Sequence, residues 1–231
     1  FTEEVLPKAR KPAAAAASLA QKFDPKGQDP YRKRGISLWA GSGANLLLYS
    51  QTIPNLGSDG TFGVIKGPSV YLQVEAPVYD RWYAQGTYKD TVGAARTSEQ
   101  LTVIQGAYNL KTLTLEGVHY PKGWFFNAAR LQLLGYWQFG LQYHIVPFLE
   151  RQSATNFLIQ TNSLTMLTAG AGVTVNPQNR WRYEALMRYQ YPLTTGPLFD
   201  INPRFAFDGS LAAIFRWSKT FNVGAFWYGQ W

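Results

Sequence analysis

The chain has 231 residues, 46% hydrophobic, 16% aromatic and only 16% charged, with no cysteine and a formal net charge of +8. Its charged share lies well below the roughly 25% usual for a soluble globular domain, and the missing cysteine removes disulfides, thiolate metal sites and cysteine nucleophiles together. No stretch reaches the roughly 18 consecutive apolar residues that a membrane-crossing helix needs, and the opening at Phe1 lacks the basic-then-apolar pattern of a secretory signal, as in a trimmed mature chain.

Residues 1–34 differ from the rest. Lys8, Arg10, Lys11, Lys22, Lys26, Arg32, Lys33 and Arg34 face only Glu3, Glu4, Asp24 and Asp29, so about half of the net charge sits here. The run KPAAAAASLAQKF (11–23) has helix propensity from its alanines. Pro7, Pro12, Pro25 and Pro30 instead favour a linker. The expectation is a basic, Ala/Pro-rich periplasmic arm, either solvated or set against anionic lipid headgroups or lipopolysaccharide phosphates. Nucleic acid is not expected, because no recognition helix, zinc spacing or aromatic-flanked basic motif accompanies the charge.

From Gly35 onward the dominant period is two. GSGANL (41–46) sits inside an apparent strand, with neither the following helix nor the lysine of a phosphate loop, and reads as close strand packing. Residues 51–67 read as a long connection, with GVIKGP (63–68) as a loop. Across 69–78, Val70, Leu72, Val74, Ala76 and Val78 alternate with Tyr71, Gln73 and Glu75. Short turns are expected at Tyr79-Asp80, Asn109-Leu110 and Ser218-Lys219. The segment 129–149 is compatible with one strand or two, or with an interfacial helix over Trp124–Leu134.

Residues 163–175 are uncharged and mostly small or β-branched. Across 181–191, Trp181, Tyr183, Ala185, Met187, Tyr189 and Tyr191 share one face, while Arg182, Glu184, Leu186, Arg188 and Gln190 share the other. The connection 192–203, with TTGPLFDINP (194–203), reads as a long loop. Across 204–217, Phe205, Phe207, Gly209, Leu211, Ala213, Phe215 and Trp217 oppose Arg204, Asp208, Ser210 and Arg216.

Strands of roughly ten to fourteen residues exceed the usual five or six and suit a tilted membrane crossing. Their apolar faces end in rings: Trp181 and Tyr191 bracket one, Phe205 and Trp217 the next. Amphipathic rings at both ends of an apolar band form the girdle expected at two membrane–water interfaces. The chain ends TFNVGAFWYGQW, with Phe221, Val223, Ala225, Trp227, Gly229 and Trp231 on one face. This final amphipathic strand, closing on an aromatic residue, resembles the C-terminal assembly signal of bacterial outer-membrane β-barrel proteins. The resemblance implies the outer membrane of a Gram-negative bacterium and adds Trp227 and Trp231 to the girdle. The fold expected is all-β: a closed antiparallel up-and-down transmembrane β-barrel over 35–231, of roughly ten to twelve strands, with its parity left open by the pattern.

In such a barrel Glu75, Arg182, Glu184, Arg188, Arg204, Asp208 and Arg216 form an interior polar network, with Arg81 and Lys89 as further candidates. Buried charges must be paired, and in a narrow barrel they pack into a plug. The alternative is a narrow solute channel, anion-preferring because bases outnumber acids in this set.

Catalysis is not expected. A membrane-lipid hydrolase or acyltransferase would need His119 or His144, and neither lies in a nucleophile motif. No metal set, calcium loop or cofactor motif is present. The function expected is therefore a non-enzymatic membrane anchor or structural subunit of an envelope assembly, in contact with lipid and with protein partners. A soluble carbohydrate-binding sandwich, with its rings as sugar platforms, is the competing class.

Overall fold

The computed structural model describes residues 35–52, 59–94, 96–97, 103–105, 107–127, 131–151, 156–195, 206–218 and 220–230. All belong to one compact unit, Arg34–Trp231. The arm at 1–34, Arg204, Phe205 and Trp231 lie outside the described residues.

The strands in chain order are β1 (Ser37–Thr52), β2 (Asp59–Tyr79), β3 (Trp82–Ala94), β4 (Arg96–Thr97), β5 (Val103–Gln105), β6 (Ala107–His119), β7 (Phe125–Asn127), β8 (Gln132–Arg151), β9 (Asn156–Val175), β10 (Trp181–Thr195), β11 (Ala206–Arg216) and β12 (Asn222–Gln230). Nine long strands form one meander in the order β1-β2-β3-β6-β8-β9-β10-β11-β12, each antiparallel to its neighbour. The three short ones pair at its margins, β4 with β2, β5 with β9 and β7 with β8. The sheet curls into an open half-barrel.

Several sequence expectations change. Among the described residues the sheet has twelve strands, but only nine of them lie on the meander. Asn109 and Leu110 lie inside β6, not at a turn, and pair with Val92 and Thr91. Most of 51–67 is strand, and GVIKGP runs within β2. Residues 192–195 extend β10, and 196–205 lie outside the described residues. Of the alternatives for 129–149, the structure takes the single strand: β8 runs over Gln132–Arg151. The described residues of Trp124–Leu134 form no interfacial helix: a 3-10 turn at Lys122–Trp124 leads straight into β7. Cross-strand hydrogen bonding to β8 satisfies that backbone, so a weak local helix preference loses to sheet pairing.

One rim of the sheet carries tight connections. Asp80, at φ 41°, turns β2 into β3, and Asn176, at φ 52°, begins the β9–β10 turn, both short polar side chains suited to the left-handed region. Asn176 is also fastened to β8, since Gln132 N–H donates to its Oδ1 at 3.0 Å and Asn176 N–H donates to Gln132 O at 2.7 Å. The β11–β12 turn closes with Trp217 and Ser218 N–H both donating to Phe221 O at 3.0 Å. Both β1 and β12 start from this rim, at Ser37 opposite Glu75 and at Asn222 opposite Arg216. An odd meander leaves its first and last strands pointing the same way. Among the described residues no backbone ladder joins β1 to β12. Side chains reach across instead: the Phe226 and Tyr71 ring centroids lie 4.8 Å apart.

Polarity is inverted relative to a water-soluble sandwich. Among the described residues, buried side chains comprise eight hydrophobic ones against seventeen polar or charged. The convex face exposes Leu72, Val74, Leu113, Leu115, Phe139, Leu141, Met187 and Leu211. Strand alternation sends one set inward and the other outward, so β6 buries Thr112, Thr114 and Glu116 while exposing Leu113 and Leu115.

Candidate functional site

The concave face holds a network organised around Arg188 of β10. Its Nε donates to Asp208 Oδ1 at 2.7 Å and its Nη2 to Oδ2 at 2.8 Å, a bidentate fork into β11. Nη1 donates to Glu116 Oε2 of β6 at 2.9 Å. Glu116 also accepts from Thr168 Oγ1 at 2.8 Å and Gln138 Nε2 at 3.1 Å. Asp208 Oδ2 accepts from Gln190 Nε2 at 2.6 Å and the Tyr228 hydroxyl at 3.2 Å. Gln190 Nε2 is shared with Gln142 Oε1 at 2.7 Å, and its own Oε1 accepts from Gln230 Nε2 at 3.0 Å. Lys89 of β3 stands 3.1 Å from the centroid of the Tyr228 ring, linking β3 to β12 across the concavity.

Glycines make this geometry possible. Gly140 faces Glu116 across β6–β8, and Gly170 faces Arg188 across β9–β10. A methyl on Gly140 would run into the Leu115 carbonyl and sit 2.9 Å from Glu116 Cγ; one on Gly170 would sit 2.6 Å from the Met187 carbonyl. With no Cβ there, the charged side chains lie flat over the neighbouring strand and reach each other. Gly172 similarly lies beneath the Tyr136 ring.

The residues read from sequence separate into groups. Arg188 and Asp208 meet at the centre. Arg182, also buried, lies 3.5 Å from Glu184, and its guanidinium stands 5.4 Å from the Trp39 ring of β1. Glu75 is buried on β2. Arg216 stays at the tight-turn rim, donating to the Gln178 and Pro177 carbonyls at 3.1 and 3.0 Å. At the centre one guanidinium meets two carboxylates, so the base excess of the sequence set is not a property of this core. Glu116, Gln138, Thr168 and Tyr228 were missed; Gln190 and Gln142 were placed on inward faces but not in the network. The signal for Glu116 was present in the alternation of Leu113 and Leu115 against Thr112, Thr114 and Glu116, a segment whose two faces had not been separated.

Trp181, Tyr191, Trp217 and Trp227 are exposed, on the same convex face as Met187 and Leu211. The two histidines occupy different settings. His144 is fully buried, its Nδ1 3.0 Å from the hydroxyl of Thr112, itself buried, so the pair is closed to substrate. His119 lies on the convex face, its ring 4.5 Å from Trp82 and 5.4 Å from Trp137 between centroids. Among the described residues no group of three or more His, Asp or Glu side chains converges to hold a metal.

Comparison gives no kinship. No family model, curated protein or solved structure matches the chain. The site must be interpreted from its own chemistry.

Proposed function

We propose that this chain is a membrane-embedded β-barrel of a bacterial outer membrane, serving as a non-enzymatic anchor or structural subunit of an envelope assembly. The observation that carries the reading is the inverted polarity: charges turned inward into a paired network, aliphatic and aromatic side chains turned outward. In water so wide an apolar surface would drive association, since monomers rarely expose contiguous apolar patches beyond roughly 300–600 Å². In lipid the same surface is solvated by acyl chains.

Dimensions agree with this. From Trp181 to Tyr191, ten residue steps on one face of β10, a rise of about 3.4 Å per residue and a tilt near 40° give roughly 26 Å, close to the ~25 Å apolar band of outer-membrane barrels. Closure of the nine described long strands on themselves would bring β1 and β12 together as a parallel pair, against the even, all-antiparallel count usual for bacterial barrels.

An anchor is favoured over a channel because Gln142, His144, Thr168, Gln190 and Asp208 are fully buried where they face the interior, and they bond to one another or to neighbouring side chains. The test is purification in detergent, electrophoresis with and without heating, and reconstitution into planar bilayers. A heat-dependent mobility shift with no steady current is expected. A chain soluble and monodisperse without detergent would overturn the membrane assignment, and a steady ionic current would overturn the plug.

A further inference from the structure

The tight-turn rim carries two matched arrangements of bases and rings. At the first, the β2–β3 turn is tied to the end of β6: Arg81 Nη1 donates to Tyr120 O at 3.2 Å and Tyr120 N–H donates to Arg81 O at 3.1 Å. Exposed Lys122 follows two residues after Tyr120. Beneath them on the convex face lie Trp82 and Trp137, ring centroids 4.9 Å apart. At the second, Arg216 N–H donates to Arg180 O at 2.7 Å, which brings two basic residues side by side. Beneath them Trp181 and Phe215 are 5.0 Å apart.

Arg216 holds its turn through carbonyl oxygens, which bind a guanidinium without cancelling its charge, and Lys122 and Arg180 are exposed on the same rim. Asp80 is the one acid in these described turns. Elsewhere on the convex face, Lys111 and Asp90 lie 3.9 Å apart and offset each other. The rim is therefore a localised positive edge directly above aromatic rings, and rings of this kind settle at headgroup level.

We propose that this rim binds the phosphates of anionic phospholipid headgroups, at two sites marked by Lys122 and Arg180. The inference rests on the membrane reading above and adds the lipid class, the rim and the residues. Each base close to an anionic surface is worth about 1 kcal/mol, a roughly fivefold preference. Lys122 and Arg180 are both exposed, so replacing them leaves the turn contacts of Arg81 and Arg216 in place.

The experiment reconstitutes the whole chain in vesicles containing brominated phosphatidylglycerol or brominated phosphatidylcholine and reads quenching of its tryptophans. The wild-type chain is expected to favour phosphatidylglycerol at least about fivefold at low salt. K122Q/R180Q should lose most of that preference, as should wild type in 0.5 M salt, where screening shortens the electrostatic range. Equal quenching by the two lipids, or a double variant that keeps the full wild-type preference, would overturn the proposal. Absence of quenching by either lipid would instead overturn the membrane reading on which it rests.

Discussion

Replacing Arg188 with methionine tests whether the concave network is a single electrostatic unit. Methionine keeps much of the buried stem's volume, so the packing loss is small, and the dominant effect is removal of the guanidinium between Glu116 and Asp208. Arg188 is 4% exposed and makes three bonds of 2.7–2.9 Å to those two carboxylates. Deleting one partner of a buried ion pair costs about 3–5 kcal/mol. Here it strands two acids at once, so the upper end is expected.

The triple variant R188M/E116Q/D208N removes the three charges at the centre of the network while preserving shape. Gln190 and Tyr228 keep the Oδ acceptor they share at position 208, and Thr168 keeps one at position 116, where Gln138 turns its amide to accept from the new NH2. Its cost should fall to about 1–2 kcal/mol, that of imperfectly matched neutral hydrogen bonds. Urea unfolding in micelles or vesicles, followed by tryptophan emission, reads both. With a slope near 2 kcal/mol/M, the single variant should lower the midpoint by roughly 2–2.5 M and the triple by less than about 1 M. A triple variant no more stable than R188M would refute the coupling. A single variant losing less than about 1 kcal/mol would refute the burial of the charges.

Two further substitutions address the other parts of the structure. Met187, 62% exposed on the convex face, tolerates lysine within about 0.5 kcal/mol if water surrounds it, whereas lysine near a bilayer midplane costs about 2–4 kcal/mol; M187K compared with wild type by urea unfolding in vesicles should show the larger loss. Gly140→Ala places a methyl against the Leu115 carbonyl and 2.7 Å from Glu116 Cα, and should cost about 1–3 kcal/mol by overpacking. Gly123→Ala, with open space around it, is the matched control and should leave the unfolding midpoint in place.

Much of the local organisation was legible from sequence. The alternation in 181–191 assigned Arg188 and Met187 to opposite faces before any fold was known, because successive strand residues point to opposite sides. It also placed GSGANL in a strand. Errors clustered where composition imitates a turn. Gly63, Gly67 and Pro68 suggested a loop, yet they lie within β2 and pair with β1, which shifts register between Asn45 and Leu46. Asn109 similarly suggested a turn inside a continuous β6.

Sequence alone determined which side chains travel together on a face, and where rings bracket an apolar run, because both follow from the two-residue period of an extended chain. Tertiary structure alone decided which faces meet. Glu116 reaches Arg188 across 72 positions of sequence, and no local pattern encodes a register built by β6, β8, β9 and β10 in succession. The strand count is of the same kind. A meander of nine long strands among the described residues, with first and last running in the same direction, follows from long-range pairing, which a residue's neighbours along the chain do not specify.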